Sequence, residues 1–323
     1  MQKILGLFAG IALLALSCNK SASSDEKITE TENVTPGFRQ CSANDVLELQ
    51  IKNDPSLKER MNAIEEFTER VTANPQAYRL VNGVIQIPVV FNVLYRTTAE
   101  NVSTAQLQSQ IDVLNEDFAT TNADYNLTST YNSVKSGNIG VTFVLDATNR
   151  RATTKTSWST NDAMKKSAQG IAPTTPTTKL NVWVCNMGGG ILGYAQFPGG
   201  SSATDGVVLD NNATGRTGTA TAPFHKGRTA THEVGHWLNL RHIWGDATCG
   251  TDQVGDTPTH NTANYGCPSA GHLSTCSGTP VEMTMNYMDY SDDACMYMFS
   301  AGQASRMLAV FAVGGPRNSF AQP

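Results

Sequence analysis

Apolar and polar positions change character several times along the chain. Ile4 to Leu16 is an apolar run behind Lys3, and Asn19 to Pro36 is polar, rich in Ser, Thr and Glu, with almost nothing to bury. The first stretch is too short to cross a bilayer as a stable helix, and the second reads as a flexible tether. Two short helical patterns then flank Pro55, and in the second Leu57, Met61, Ile64, Phe67 and Val71 recur at helical spacing between Glu and Arg. An amphipathic element this small cannot form a core alone, so it must lean on something larger.

From Val84 the pattern becomes that of a folded body. Val84 to Tyr95 is β-branched and aromatic, a buried strand. Ser103 and Gln106 resemble a capping box opening a helix with Leu107, Ile111, Leu114 and Phe118 on one face. Ile139, Val141, Phe143 and Leu145 alternate as a half-buried strand, and Leu180 to Cys185 and Gly206 to Leu209 are further strands, with glycine-rich turns between them. A helix is expected from about Gly227 to Leu238 and a last one near Gly302 to Phe311. Between these two lies a long irregular stretch holding four cysteines, and no internal repeat is visible.

Composition sharpens the compartment. The 323 residues allow one large domain plus a small extra segment, and a formal charge of −5 without any basic block speaks against nucleic acid or an anionic membrane surface as partner. Only 16% of residues are charged, a balance that suits a loop-rich extracytoplasmic protein. The apolar run ends in Ala15-Leu16-Ser17-Cys18, which resembles a bacterial lipoprotein signal, although such signals usually carry Leu where Ala15 stands. Cleavage there would make Cys18 the lipidated N-terminus, so that the membrane is reached only through a lipid anchor. The other reading is an ordinary secretory signal with an incidental Cys; either way the protein leaves the cytoplasm, anchored in the cell envelope or secreted after processing.

The chemistry is concentrated in His232-Glu-Val-Gly-His236-Trp-Leu-Asn-Leu-Arg-His242. Positions i and i+4 share one helix face, so His232 and His236 can hold one ion, with Glu233 placed to act on a water without ligating the metal. His242 falls on the wrong face of a straight helix, so the chain must break near Asn239. Asn is the residue after Gly that best tolerates the left-handed conformation needed there. Three protein ligands leave a position open, as a catalytic zinc requires, and Glu233 is expected to take the proton of a water acidified by the ion as it attacks a peptide carbonyl.

Downstream stands Met285-Asn-Tyr-Met288-Asp-Tyr290. The blocks HEVGHWLNLRHIWGD, DTPTHNTANYGCP and MNYMDYSDDACMYMFSAGQASRM together resemble the pappalysin family of metzincin zinc metalloproteases, close to its small bacterial members, over about Ile87 to Phe311. The metzincin pattern carries Gly where this chain has Asn239. The resemblance implies an α+β fold: an upper subdomain with a twisted mixed β-sheet plus helices, and an irregular, disulfide-stapled lower subdomain. It implies that Met288 forms the apolar floor beneath the histidines and that Tyr290 donates a hydrogen bond to the tetrahedral intermediate. A packed core tyrosine is the plainer reading of Tyr290.

Seven cysteines leave six once Cys18 is set aside. Cys249, Cys267, Cys276 and Cys295 allow three pairings on sequence alone, and the resemblance favours Cys249–Cys276 and Cys267–Cys295. Cys185 ends an apolar strand and reads as a buried small hydrophobe. Cys41, in Arg39-Gln-Cys-Ser, stands where related proteases keep a latency cysteine, and its thiolate would fill the open zinc position, although Ser42 replaces the usual Gly. A Cys41–Cys185 disulfide and a free thiol are the alternatives. The expected organisation is a signal peptide over 1–17, a tether and latency propeptide over 18–80, and a catalytic domain over 81–323, with Arg60, Arg70 and Arg79 as activation sites for another protease. Asp292 and Asp293 follow the Met-turn, where a carboxylate would favour Arg or Lys after the scissile bond; solvated loop acids or calcium ligands are the bland reading. The resemblance also suggests calcium, with Asp252 and Asp256 as candidates. The partners implied are protein or peptide substrates, the chain's own propeptide as inhibitor, and an activating protease. The reading from another class is a catalytically inactive surface lipoprotein that uses this fold as a binding or adhesion module.

Overall fold

Pro55 separates two helices, α1 (Ala43–Asn53) and α2 (Ser56–Ala73), as the sequence pattern predicts. The computed structural model describes residues 37–75 and 85–321; the signal-like run, Cys18, the tether and Arg79 lie outside the described residues. Five strands follow, β1 (Ile85–Tyr95), β2 (Val141–Ala152), β3 (Leu180–Cys185), β4 (Gly193–Ala195) and β5 (Val207–Asp210), in the order β2-β1-β3-β5-β4. All neighbours run parallel except β4, which lies antiparallel to β5 at the sheet edge. Every residue of β3 and β5 is buried. Both are mostly apolar, with Asn181 inside β3 and Asp210 ending β5, because a mostly parallel sheet is covered on both faces.

One face is covered by α3 (Thr104–Ala119), whose Leu107, Ile111, Leu114 and Phe118 meet Phe91 and Phe143 of the sheet in the main core. The Ser103 hydroxyl caps α3 by accepting from Gln106 N, but the reciprocal half of the box is absent. The Gln106 amide instead turns away to the carbonyls of Asn211 and Thr214, both buried residues. On the opposite face Trp183, Tyr194, Cys185 and Val208 form a second core, and α1 contributes Ala43 and Val46 to it. The short helix α4 (Ala163–Lys166) packs there through Met164. Thus α1 finds the larger body it needs on the sheet, and α2 finds it through Phe67 and Val71 on Ala309 and Ala312.

Helix α5 (Arg228–Trp237) leads from the sheet into an irregular half, 239–300, stapled by Cys249–Cys276 and Cys267–Cys295. With little ladder hydrogen bonding, this half relies on buried side chains. Asn264 bonds to both Glu282 and Asp289, and the His260 ring accepts from Met283 N. Helix α6 (Ala301–Ala309) closes it with a complete capping box between Ser300 and Gln303.

Candidate active site

The site begins with how α5 ends. Asn239 adopts φ 74°, and its N–H bonds to His236 O while Leu240 N–H reaches back to Gly235 O. This is the paired hydrogen-bond pattern of a left-handed helix terminus, with Asn in the place Gly usually takes. It reverses the chain so that His242 returns to face His232 and His236.

The three Nε2 atoms converge: His236 lies 3.2 Å from His232 and 3.1 Å from His242. Each Nδ1 faces an acceptor, Tyr287 O at 2.6 Å, Leu240 O at 2.8 Å and Asp246 Oδ1 at 2.5 Å, so each ring proton belongs on Nδ1. Burial, then the neighbouring imidazoles, hold His232 well below its ordinary pKa, and burial takes His236 down to about 3. With the ring protons on Nδ1, three Nε2 lone pairs aim at one point, an arrangement that repels unless a cation is shared. Tetrahedral zinc–nitrogen bonds of about 2.0–2.1 Å place nitrogens roughly 3.3 Å apart. The donor set fits zinc. The Cys41 Sγ joins these three histidines, all four ligand atoms lying within 4.8 Å of one another, and among the described residues this is the only such cluster.

Glu233 is fully enclosed, and burial pushes its carboxyl up to about 8 against the opposing pull of Cys41 and Arg39. The Cys41 thiol donates to Glu233 Oε2 at 3.4 Å. Gly193 of β4 lets this carboxylate lie beneath the edge strand, since a Cβ there would come within 3.0 Å of Glu233 Oε1. The segment around Cys41 is paired to that same edge: Leu192 N bonds Gln40 O, and Ser42 N bonds Gly193 O. Met288 lies directly below α5, where a Cβ on Gly235 would sit 2.5 Å from its sulfur. The Tyr290 hydroxyl donates to Cys41 O at 2.9 Å, with its ring edge-on to His242.

The two acids after the Met-turn part company. Asp293 is wholly buried and pairs with Arg39 at 2.6 Å, while its other oxygen accepts from Lys226 N and Arg228 N. Arg39 is itself buried, donating also to Ser291 O and the Thr229 hydroxyl. Asp292 takes no part in this pair; burial raises its carboxyl, and its N–H bonds Gly266 O. Of the calcium candidates, Asp256 has both oxygens committed at the start of α6, to the Ser300 hydroxyl and Gly302 N. Asp252 accepts from Val254 N and the Thr257 hydroxyl, and burial pushes it up to about 6. Cys41 and Cys185 are both free thiols, so no disulfide joins them, and Cys185 is a buried apolar group as its strand position implies.

Arg39, Asp246, Gly193 and Gly235 belong to the site and were not singled out by sequence reasoning. Asp246, four residues after His242, carried a usable spacing signal; Arg39 carried only its proximity to Cys41.

The family model for pregnancy-associated plasma protein-A peptidases matches residues 175–312. An extracellular metalloprotease of Arthroderma otae is 32% identical, the alignment covering 75% of this chain and 84% of that one. The chain belongs to the pappalysin family. Extracellular metalloprotease 1 of Coccidioides posadasii is likewise 32% identical, over 76% of this chain and 84% of its own. Among solved structures, mature mirolysin of Tannerella forsythia in complex with a cleaved peptide matches with TM-score 0.70 and 43% identity, over 73% of this chain and 95% of its own. A promirolysin variant matches with TM-score 0.78 and 40% identity, over 87% and 97%. This pappalysin is a metalloendopeptidase with the expected mixed sheet and stapled lower half, and its family implies zinc.

Proposed function

We propose that this pappalysin is made as a latent, secreted zinc endopeptidase in which His232, His236 and His242 hold the metal and Cys41 occupies its open position until the propeptide is removed. The observation that carries the reading is the convergence of Cys41 with the three histidines while Arg39 fills the Asp293 pocket. The match to promirolysin takes in more of this chain than the match to mature mirolysin, as a propeptide ahead of the catalytic domain requires.

A bound zinc ion would supply a Lewis acid that acidifies water and polarises the scissile carbonyl. Glu233, one residue along the helix from His232, would take the proton and pass it to the departing amine. The Tyr290 hydroxyl, released from Cys41 O, would donate to the developing oxyanion, a contribution of about 100-fold. Met288 supports the histidines from below without ligating. Asp293, with a guanidinium already on it, favours Arg or Lys after the scissile bond, and Asp292 drops out of that role. Residues 18–80 form the tether and propeptide, anchored through Cys18. Arg60 and Arg70 lie within α2, where no extended backbone is offered to a protease, so Arg79 is the activation site we favour. The calcium candidates Asp252 and Asp256 both have their oxygens engaged within the fold, Asp252 by Val254 N and Thr257 and Asp256 by Ser300 and Gly302 N. No observation favours the binding-module alternative.

The test is zinc content and casein hydrolysis by the chain from Asn19, before and after limited trypsin treatment, beside Glu233→Ala. Zinc near one per chain, activity that appears only after trypsin, and a Glu233→Ala variant that keeps zinc but loses cleavage are expected. A Glu233→Ala variant as active as the wild type would refute the mechanism.

A further inference from the structure

Going outward from the three histidines, the latent segment places Cys41 at the metal position and Arg39 on Asp293. The next residue, Phe38, sets its ring edge-on against Tyr265, with centroids 5.5 Å apart and planes at 77°. Tyr265 is 51% exposed even with Phe38 in place, and Phe38 itself is 49% exposed. A single exposed aromatic is ordinary on a protein surface, so what matters is how its backbone is held. Here both flanks are fixed from beneath. Asn264 N and its side-chain amide bond the two oxygens of buried Asp289 at 2.8 and 2.9 Å, and the same amide bonds Glu282 at 2.7 Å. On the other side Gly266 bridges to Ser291 and accepts from Asp292 N, and the next residue, Cys267, is stapled to Cys295. The ring also lies 5.9 Å from that of Tyr290, which continues through Trp244 to His242. An aromatic held this firmly, and half-exposed beside the candidate catalytic tyrosine, is pre-organised to receive a side chain.

We propose that Tyr265 forms an aromatic subsite for the substrate residue that follows the one held by Asp293, and that it selects aromatic side chains there. Phe38 of the latent segment occupies that subsite before activation. The inference rests on the pocket role of Asp293 under the proposed function. A substrate would meet these positions as the scissile carbonyl, the cationic residue, then the residue over Tyr265, its chain running in the opposite direction to the latent segment, whose residue numbers fall from Cys41 through Arg39 to Phe38. Edge-to-face contact favours Phe, Tyr or Trp over small or charged side chains.

The experiment uses the trypsin-activated full chain and two fluorogenic peptides differing only after an Arg, one carrying Phe and the other Ala at the following position. Cleavage before the Arg is checked by mass. The wild type is expected to show kcat/KM about fivefold higher for the Phe peptide, the scale of one aromatic pair. Tyr265→Phe retains that ratio and Tyr265→Ala brings it towards one, so the readout is a ratio within each enzyme and does not depend on how much active protein each preparation holds. A wild type indifferent to Phe, or a Tyr265→Ala enzyme that keeps the preference, overturns the subsite while leaving the active-site reading intact. An activated chain that cleaves neither these peptides nor casein overturns the active-site reading, and this inference with it.

Discussion

Replacing Arg39 by Ala removes the cation from a pair that is 1% and 0% exposed on its two sides. Removing one member of a buried ion pair costs about 3–5 kcal/mol, because the survivor is left charged without its partner. Two features set the value within that range. Arg39 also loses its bonds to Ser291 O and Thr229, which pushes the cost up. Asp293 keeps the backbone N–H groups of Lys226 and Arg228, and the emptied pocket opens towards water once the segment lifts, which brings the cost down. We take the lower end, about 3 kcal/mol, which shifts the equilibrium between the seated and lifted segment by roughly 150-fold.

The shift is read on the uncleaved chain in two ways that share no assumption. The first is the rate of hydrolysis of a short fluorogenic peptide in the first minutes, with intact mass checked at the end. The second is alkylation of Cys41, which is partly buried and hydrogen-bonded to Glu233 while the segment is seated, with Cys185 in the core as the unreactive control. Both rates are expected to rise by about two orders of magnitude in Arg39→Ala, and by less in Arg39→Lys, which keeps the charge but not the planar fork that reaches three partners. An Arg39→Ala chain as latent as the wild type, with Cys41 no more reactive, would refute the account of the pocket as the seat of latency. The segment would then be held by α1, by α2 and by the metal alone.

Asn239→Gly relieves the cost of a side chain at φ 74° but gives up a 3.4 Å contact between its amide and the Thr68 hydroxyl. Its stability in chemical denaturation is expected to stay within about 1 kcal/mol of the wild type, whereas Asn239→Val, β-branched in the left-handed region, should lose about 1–3 kcal/mol and some zinc. Asp210 is pushed up to about 6 by burial, so the native state keeps a proton that the unfolded chain releases near pH 4. Its contribution to stability is fully present below that unfolded pKa and is lost as pH rises through about 6. The slope of melting temperature against pH between 4 and 6.5 should therefore become more positive in Asp210→Asn than in the wild type, and an unchanged slope would refute the contribution of Asp210.

What the sequence disclosed about this pappalysin was whatever its own local chemistry determines. The β1 and β3 segments announce themselves because burial on both faces makes them mostly apolar and β-branched, with only Gln86, Asn92 and Asn181 as polar interruptions. His232 and His236 announce themselves because a helix has one period, and the break at Asn239 because His242 is otherwise unreachable. What escaped is set by partners distant in the chain. Strand β4 spans three residues, too few to show any period, yet it carries the edge on which both Glu233 and the Cys41 segment rest. Gln106 has the spacing of a capping box, but its amide goes instead to the carbonyls of Asn211 and Thr214, which are buried and distant in the chain. Arg39 looks like any charged residue before a cysteine until Asp293, on the far side of the chain, is folded beneath it. The disulfide pairing was open to three arrangements on spacing, and only resemblance chose between them before the structure did. Catalytic ligands on one helix can be read from the chain because their geometry is local. The side chains that gather around such a site, Arg39 on Asp293 among them, are supplied from elsewhere in the fold, and no window along the sequence contains both halves.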